Sequence, residues 1–330
     1  MKQLEAIVNE YTDLAINTPT KSIFEVETAN KWILDASKIP SPKQLFGSLW
    51  NSGELSVLFA DTGVGKTILA MQIADCVTTG RQWLPFTNES EAQKLLYIDF
   101  ELTSKQFQIR YTDKETGAMH RFNDNFLRAE INCDEEISDE VIMFSIEAEI
   151  IRTGAKCLVI DNITYLKNET EKGRNALPLM KHLNHLKKKY NLSILVLAHT
   201  PKRDGANPIA LTDLYGSVMI ANFIDGAFAI GRSNGGTNYR YIKQLKCRSS
   251  EIEYHAENAP FIELVKSNNM MQFVFNDFGT EEQHLRKITG KEKGDLINKV
   301  HELKDNGKTQ RDIAKELNIS LGLVNKYLKQ

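Results

Sequence analysis

Four residues, Gly63, Gly65, Lys66 and Thr67, stand at the spacing of a phosphate-binding loop in the stretch DTGVGKT. A short apolar run precedes the loop and a helical pattern follows it, which is the context that a Walker A motif requires. The N–H groups of such a loop and the positive end of the following helix converge on one spot and bind phosphate oxygens. Lys66 adds a point charge for the β- and γ-phosphates, and the hydroxyl of Thr67 is a ligand for Mg²⁺.

The stretch therefore predicts a site for ATP with Mg²⁺. The residues expected to contact the nucleotide are Asp61, Thr62, Gly63, Val64, Gly65, Lys66, Thr67 and Ile68. The consensus motif opens with glycine, and Ala60 stands at that position, so the first residue of this loop lacks the conformational freedom of glycine.

Two carboxylates at the ends of apolar runs are candidates for binding the metal and activating water. Asp161 ends the run KCLVID and has the pattern of a Walker B aspartate, a second Mg²⁺ ligand beside Thr67; an aspartate there is also a favourable helix N-cap. Glu101 follows the run LLYIDF, where a carboxylate can orient and polarise the water that attacks a phosphate. A surface glutamate in the first turn of a helix gives the same pattern. Asp99 is its rival in this run, but alternation places it on the opposite side of the strand from the residues that flank it.

These residues need a sheet whose strand ends meet at one edge. Continuous apolar runs typical of buried parallel strands cover residues 55–59, 95–100, 156–161 and 192–199, with helical patterns between them. Further along, strands come closer together and turn residues separate them; they are Ala227–Ile230, Tyr239–Leu245, Phe261–Val265 and Met271–Phe275. The pattern predicts an α/β fold, a parallel sheet extended by antiparallel edge strands, with the ligand crevice at the carboxyl ends of the parallel strands.

Four stretches together resemble the RecA-like P-loop ATPases, in particular their DnaB- and RepA-like helicase branch. YIDFE at 97–101 is similar to the strand that carries the catalytic glutamate, next to the P-loop strand. AHT at 198–200 is similar to the polar sensor of the fourth core strand, and DLYGS at 213–217, followed by Asp225, to the D-x-x-G-S…D segment. KCR at 246–248 matches the K-x-R element. From about Lys31 to Phe275 the chain most resembles the RepA-like AAA ATPases of plasmids and mobile elements.

The resemblance implies catalytic roles for three further residues beside Lys66 and Glu101. His199 would hydrogen-bond the γ-phosphate or the attacking water, although a histidine at a strand end is often a structural residue. Lys246 and Arg248 alternate on one face of a strand, and the resemblance implies that they reach the γ-phosphate of a neighbouring subunit. A solvated basic edge strand gives the same pattern. If these cations act in trans, hydrolysis requires a ring or filament, and we expect a hexamer.

Two loops and the basic C-terminal tail are candidates for DNA contact. The loops Leu166–Asn175 and Pro201–Tyr215 would face a central channel and track a single strand with their basic residues. These are Lys167, Lys172, Arg174, Lys202 and Arg203. Residues 309–328 resemble a helix-turn-helix, whose second helix would place Leu321, Gly322, Asn325 and Lys326 in a major groove of duplex DNA. A small helical protein-binding domain is the alternative.

Composition sets the remaining limits. The formal net charge of the 330 residues is −2, so DNA contact must come from local patches. No apolar run reaches the roughly 18 residues of a membrane span, and the four cysteines have neither metal spacing nor a disulfide framework. We therefore expect a cytoplasmic protein without membrane contact. We expect an N-terminal helical segment at 1–30, a RecA-like ATPase domain at 31–280, and a linker with the helix-turn-helix at 281–330. Within the first two, residues 1–22 have the pattern of an amphipathic helix, and residues 23–54 are expected to be an irregular lead-in to the first core strand.

Together these features predict an ATP-dependent DNA-binding motor, namely a hexameric helicase or replication ATPase of a mobile element. Two alternatives stay open. A RecA- or RadA-like recombination or transposition accessory ATPase would form filaments on DNA without unwinding it. An ATP-gated regulator would bind DNA through the helix-turn-helix and use the ATPase only to switch its oligomeric state.

Overall fold

The computed structural model describes residues 24–131, 137–163, 176–201, 203–214, 217–267, 269–287, 290–317, 319 and 321–329. The chain divides into two compact units, Met1–Ser41 and Pro42–Gln330. The helix predicted over residues 1–22 lies outside the described residues. So do the basic residues predicted for the channel loops at Lys167, Lys172, Arg174 and Lys202.

The described part of the first unit contains a helix, α1 (Ala29–Ala36). Its first turn is capped by Thr28, whose hydroxyl accepts a hydrogen bond from Lys31 N at 3.2 Å. Sequence patterns predicted an irregular segment from residue 23 to 54, and this prediction was wrong for α1. It was also wrong for the short hairpin of β1 (Gln44–Phe46) and β2 (Trp50–Asn51) that opens the second unit.

The second unit is built on a sheet in which nine strands are described. They are β3 (Leu55–Ala60), β4 (Leu95–Asp99), β5 (Phe126–Glu130), β6 (Cys157–Asp161), β7 (Ser193–His199), β8 (Gly226–Arg232), β9 (Tyr239–Cys247), β10 (Ala259–Ser267) and β11 (Met270–Gly279). Their order in the sheet is β11-β10-β9-β8-β3-β7-β6-β4-β5. Strands β8, β3, β7, β6, β4 and β5 run parallel, and β9 to β11 add an antiparallel edge. The predicted parallel sheet with antiparallel edge strands is confirmed.

The register of neighbouring strands brings remote parts of the chain together. Ala60 of β3 lies opposite His199 of β7, and Asp99 of β4 lies opposite Asp161 of β6. The carboxyl ends of these four strands therefore lie at one edge of the sheet, where open α/β sheets bind their ligands. β4 follows β3 in the chain, but β7 and β6 separate them in the sheet. The prediction that the glutamate's strand lies next to the P-loop strand thus holds for chain order only.

Helices cover both faces of the sheet. They are α2 (Lys66–Thr79), α3 (Ser104–Arg110), α4 (Asp139–Thr153), α5 (Ala176–Tyr190), α6 (Ser217–Phe223) and α7 (Glu281–His284). α2 packs on one face and is buried along nearly its whole length, whereas α4 and α5 pack on the other face through single apolar stripes. Because both faces are covered, β3, β4 and β6 are buried at every position, which explains their continuous apolar sequences.

Three further helices follow near the C-terminus: α8 (Gly290–Asp305), α9 (Gln310–Glu316) and α10 (Leu321–Tyr327). They share a small core made of Val300, Ile313, Val324 and Tyr327. The Thr309 hydroxyl caps α9 by accepting a hydrogen bond from Asp312 N at 3.2 Å. Between residues 309 and 327 the described residues thus contain two short helices, α9 and α10.

Two observations bear on the setting of the chain. In the part of the chain that the structure describes, no helix has the length and apolar character needed to cross a membrane. The described cysteines are free thiols; Cys76 and Cys157 are buried, and burial raises the pKa of these thiols to about 11 and about 12, while Cys247 is half-buried.

Candidate nucleotide-binding and hydrolysis site

The loop between β3 and α2 has the conformation of a phosphate cradle. Gly63 and Gly65 have φ angles of 71° and 111°, in the left-handed region that favours glycine. A Cβ at Gly65 would also lie 2.7 Å from the ring of Phe273 on β11, so packing excludes a side chain there. Ala60, by contrast, ends the extended strand β3 and is buried. The consensus glycine can therefore be alanine at this position without strain.

α2 begins at Lys66, directly after the loop. No side chain caps its N-terminus, so the N–H groups of its first turn are available to a phosphate. Lys66 is buried, and burial lowers the pKa of its ammonium group, an effect that the carboxylates of Asp161 and Glu101 partly offset. A buried cation beside two carboxylates and an open helix N-terminus is suited to bind the β- and γ-phosphates.

Two arginines, from β8 and β9, donate hydrogen bonds to carbonyl oxygens of this loop. Arg240 of β9 is buried and donates from Nε to the Val64 carbonyl oxygen at 2.7 Å. Arg232 of β8 is exposed and donates from Nη2 to the carbonyl oxygens of Thr62 and Gly63 at 3.3 and 3.1 Å. These bonds tie the P-loop to β8 and β9.

Asp161 lies at the end of β6 and is fully buried. Burial raises the pKa of its carboxyl to about 6, against the opposing effects of Lys66 and of the hydroxyls of Thr67 and Tyr97. Its Oδ2 accepts a hydrogen bond from Tyr97 at 2.8 Å, whereas its Oδ1 has no hydrogen-bond partner among the described residues. An orphaned buried carboxylate oxygen beside a threonine hydroxyl fits Mg²⁺, which takes one or two protein ligands and keeps the rest as water and phosphate oxygens. Thr67 and Asp161 would hold the ion, which would neutralise phosphate charge.

Glu101 and His199 meet at the mouth of the same crevice. Nε2 of His199 lies 3.2 Å from Oε1 of Glu101, and the Asn162 side-chain amide donates to the same carboxylate oxygen. The hydrogen bond with His199 is the largest factor that lowers the pKa of Glu101, and Lys66 and Asn162 lower it further against the effect of burial. Glu101 is therefore an ionised carboxylate with a fixed orientation, as a group that positions or deprotonates water must be.

Asp99, the rival carboxylate in the same strand, has a structural role. It is buried and accepts hydrogen bonds from the backbone N–H groups of Glu101 and Leu102 at 3.1 and 2.9 Å. Its other oxygen accepts a hydrogen bond from Arg128 Nε at 2.9 Å. Asp99 thus shapes the turn that presents Glu101.

A cavity of about 370 Å³ joins these groups. Its lining contains every residue from Asp61 to Ile68, together with Glu101, His199, Leu264 and Arg110. Arg110, at the end of α3, was not identified from the sequence. Its Nη1 is buried and has no hydrogen-bond partner within the described ranges, so the cavity contains a second cation besides Lys66. The sequence nevertheless contained a signal for Arg110. α3 starts only three residues after Glu101 and therefore runs beside the crevice, so an arginine nine residues beyond this glutamate was a candidate for the site.

Lys246 and Arg248 lie away from this cavity. Lys246 pairs with Ala227 near the amino end of β8, and β8 begins level with Ser56, so both cations lie at the opposite edge of the sheet from the P-loop. Lys246 Nζ donates to the Ala221 carbonyl oxygen, and Arg248 forms an ion pair with Asp225 at 3.2 Å. Both side chains contact the segment at 221–225, and Arg248 lies just beyond the end of β9. They do not reach the phosphate site of their own chain, so a role in hydrolysis has to be in trans.

Arg203, predicted to contact DNA, is withdrawn from solvent. Its side chain is 8% exposed and lies between two carboxylates, 3.8 Å from Asp61 and 3.4 Å from Asp213. A DNA contact by Arg203 requires that it leave these partners. On α10, by contrast, the predicted DNA-facing residues Leu321, Gly322, Asn325 and Lys326 are all exposed, and Val324 and Tyr327 face the small core.

Fold and site together define a class, a P-loop ATPase with a RecA-like core of parallel strands. The family model of the AAA domain AAA_25 matches residues 20–205, more than half of the chain, and the chain belongs to this family. The search of curated proteins finds no match. Among solved structures, a KaiC-like protein from the hyperthermophilic archaeon Pyrococcus horikoshii OT3 matches with a TM-score of 0.48 and 15% identity, over 69% of this chain and 91% of that one. The family assignment therefore depends on the family model.

Proposed function

We propose that the protein hydrolyses Mg·ATP and uses this reaction to act on DNA, as a hexameric helicase or replication ATPase of the RepA-like type found in mobile elements. The observation that carries the proposal is the convergence of Glu101, His199 and Lys66 on one cavity behind a P-loop. A protein that only binds nucleotide needs the loop and Lys66. An oriented, ionised carboxylate at the mouth of the phosphate site is needed only for attack by water.

In this proposal the chain's own groups have separate tasks. The loop N–H groups and Lys66 bind the phosphates of ATP, and Glu101 accepts a hydrogen bond from the attacking water and orients it toward the γ-phosphorus. Asn162 and His199 fix the Glu101 carboxylate. His199 ends β7 and leads directly into the loop at 200–214, so a change at the γ-phosphate acts first on that loop.

Lys246 and Arg248 supply the remaining positive charge from a neighbouring copy. A cation in trans stabilises the charge on the transferred phosphoryl group and makes hydrolysis depend on assembly. In the isolated chain, Lys246 donates to the Ala221 carbonyl oxygen and Arg248 to Asp225. On assembly, both side chains would leave these partners and bind phosphate oxygens instead.

DNA would be contacted at two places. The loops after β6 and β7 would track a single strand in the channel of the ring, and the exposed face of α10 would bind a duplex. The structural support for duplex binding comes from α10. Asn325 and Lys326 lie on its exposed face, whereas Val324 and Tyr327 lie on its buried face. This is the arrangement of a helix that enters a major groove.

One observation favours a second candidate, the ATP-gated DNA-binding regulator. Lys246 and Arg248 are engaged by their own chain, and an ATPase that lacks trans-acting cations is a slow switch rather than a motor. The test is strand displacement on a forked duplex with Mg·ATP, with Glu101→Gln as the inactive control. The motor displaces the strand only with hydrolysable ATP. If wild-type protein hydrolyses ATP and binds the fork without displacing a strand, the motor is contradicted and the regulator or the filament-forming accessory ATPase takes its place.

A further inference from the structure

The segment that leaves β11 toward the C-terminal helices lies against the loop that follows β7. We name residues 281–287 the strap and residues 203–209 the clasped loop. At one end of the contact, Glu281 Oε1 accepts a hydrogen bond from Ile209 N at 2.7 Å. Lys243 of β9 donates to the Ile209 carbonyl oxygen at 2.7 Å and pairs with Glu281, so this end of the loop is fixed to both strap and sheet.

The other end of the contact involves Arg286. Its backbone N donates to the Gly205 carbonyl oxygen at 3.0 Å, and its Nη2 lies 3.1 Å from Asp204 Oδ1. About half of each side chain in this ion pair is exposed, so the pair contributes little stability by itself. The strap therefore grips the loop at two points, one buried and one exposed.

The clasped loop also contacts the P-loop. Arg203 lies 3.8 Å from Asp61, the first residue after β3, and the Thr200 hydroxyl donates to the same carboxylate. Asp213 neutralises Arg203 from the other side, at 3.4 Å. Of the basic residues predicted for the two channel loops, Arg203 is the only one that the structure describes. It is held between two carboxylates, and the strap contacts the residues that follow it in the clasped loop.

The contacts are arranged so that the loop can leave without stranding a buried charge. Glu281 keeps Lys243 as an ion-pair partner and the Tyr241 hydroxyl as a hydrogen-bond donor, both on β9. Release of Ile209 therefore costs the hydrogen bonds of two backbone groups, which water can replace, and the burial of its side chain, which is 3% exposed in the core. Arg203 would exchange Asp61 and Asp213 for phosphate oxygens, which charge-assisted hydrogen bonds favour.

We propose that the strap is an autoinhibitory clasp: it holds the loop in a conformation that withdraws Arg203, and the loop must leave the strap before a single strand of DNA can bind there. This inference rests on the proposed function for the identity of the ligand. Because the strap continues into the C-terminal helices, it also offers a route by which duplex binding at those helices would free the loop.

The structure provides a direct test. An ideal Cβ at Gly205 lies 3.9 Å from Cβ of Arg286, close to the mean separation of about 3.8 Å in disulfides. The double variant Gly205→Cys with Arg286→Cys locks the strap when oxidised and frees it when reduced. Each single-cysteine variant controls for pairing with the chain's own thiols, and ATP hydrolysis is measured with and without an oligo(dT) strand.

We expect the oxidised double variant to hydrolyse ATP at its DNA-free rate whether or not oligo(dT) is present, and reduction to restore stimulation. Equal stimulation of the oxidised and reduced forms would overturn the clasp. A wild-type rate that oligo(dT) leaves unchanged contradicts the proposed function instead. In that case the clasp is tested by the rate at which the reduced double variant forms its disulfide. Disulfide formation that is about fivefold or more slower with Mg·ATP and oligo(dT) than without them supports the clasp, and an unchanged rate overturns it.

Discussion

Oε1 of Glu101 and Nε2 of His199 lie 3.2 Å apart, although 98 residues separate them in the chain. Their strands, β4 and β7, are not neighbours, because β6 lies between them. Asn162 follows β6 and hydrogen-bonds Glu101, and its amide nitrogen lies 3.0 Å from the same nitrogen of His199. Three strand ends thus build one polar cluster, which links the group that orients water to the loop that follows β7.

The first prediction concerns Glu101. Glu101→Gln removes the charge that polarises water but keeps the size of the side chain, so hydrolysis should fall by about 100-fold or more while the Kd for ATP changes little. Steady-state hydrolysis and fluorescent-nucleotide titration measure the two quantities. Glu91→Gln, at an exposed position before β4, is the matched control and should behave as wild type. A Glu101→Gln variant that retains its hydrolysis rate would remove Glu101 from the reaction.

The second prediction concerns the stability cost of Asp161. Its pKa is raised by burial from 3.8 to about 6, so the folded protein binds the proton more tightly than the unfolded chain. The free energy of unfolding should therefore fall as the pH rises from about 4 to about 6, by roughly 3 kcal/mol at most. Without metal, Asp161→Asn should be more stable than wild type at pH 7 to 8, and this advantage should shrink below about pH 5.

Urea unfolding in EDTA at several pH values measures this difference. The Asn162→Ala variant, one residue further on, provides the comparison because it removes a polar group of the cluster without changing a buried charge. An Asp161→Asn protein that is less stable than wild type at pH 8 would show that Lys66 and Tyr97 stabilise the ionised carboxylate more than burial destabilises it.

The third prediction separates the two arginines that hold the P-loop. Arg240 is buried and bonded to Val64, so Arg240→Ala should lower the free energy of unfolding by about 2 kcal/mol and raise the KM for ATP by about tenfold. Arg232 is exposed, and Arg232→Ala should cost less than about 1 kcal/mol. Thermal unfolding and ATP titration measure both. Equal effects of the two substitutions would contradict the proposed division.

The fourth prediction concerns Arg248. As a cation that acts in trans, Arg248→Ala should lower hydrolysis by about 1000-fold in the oligomer without loss of nucleotide binding. Lys187 is the matched control because it forms the other ion pair with Asp225, at 2.6 Å. If Arg248 only braces Asp225, both Lys187→Ala and Arg248→Ala should leave the hydrolysis rate nearly unchanged. Hydrolysis rates of both variants at equal oligomer content decide between the two roles.

The fifth prediction concerns the C-terminal helices. The double variant Asn325→Ala with Lys326→Ala should lose duplex binding while its basal ATP hydrolysis stays near wild type, because both side chains are exposed and lie outside the nucleotide cavity. Fluorescence anisotropy with labelled duplex measures binding. Lys304→Ala, an exposed lysine on α8, is the control for loss of charge alone. Equal losses for the two variants would indicate nonspecific attraction rather than an interface on α10.

Sequence periodicity was sufficient for the framework of the site. The loop at 61–68, the strands that end at Asp161 and His199, and the antiparallel edge all follow from local patterns, because buried parallel strands need continuous apolar runs and a P-loop needs glycine at fixed positions. The edge strands are longer than predicted; β9 extends to Cys247 and β11 to Gly279.

The contacts that the sequence did not indicate depend on how strands that are remote in the chain pair with one another. Arg232 and Arg240 reach the P-loop only because β8 pairs with β3 and β9 pairs with β8, and neither arginine has a local signal. The withdrawal of Arg203 has the same origin, since its partners Asp61 and Asp213 lie at the ends of separate segments. α1 was missed because it is a helix of only two turns, too short for its period to stand out, and none of its residues is buried.

The most direct test of the central claim is ATP hydrolysis by size-exclusion fractions of the 330-residue protein, with and without oligo(dT). The account predicts that the oligomeric fraction hydrolyses ATP, that oligo(dT) accelerates it several-fold, and that Arg248→Ala abolishes the reaction without dissolving the oligomer. A monomeric fraction that hydrolyses ATP at the same rate as the oligomer, unaffected by oligo(dT) and by Arg248→Ala, would contradict the account.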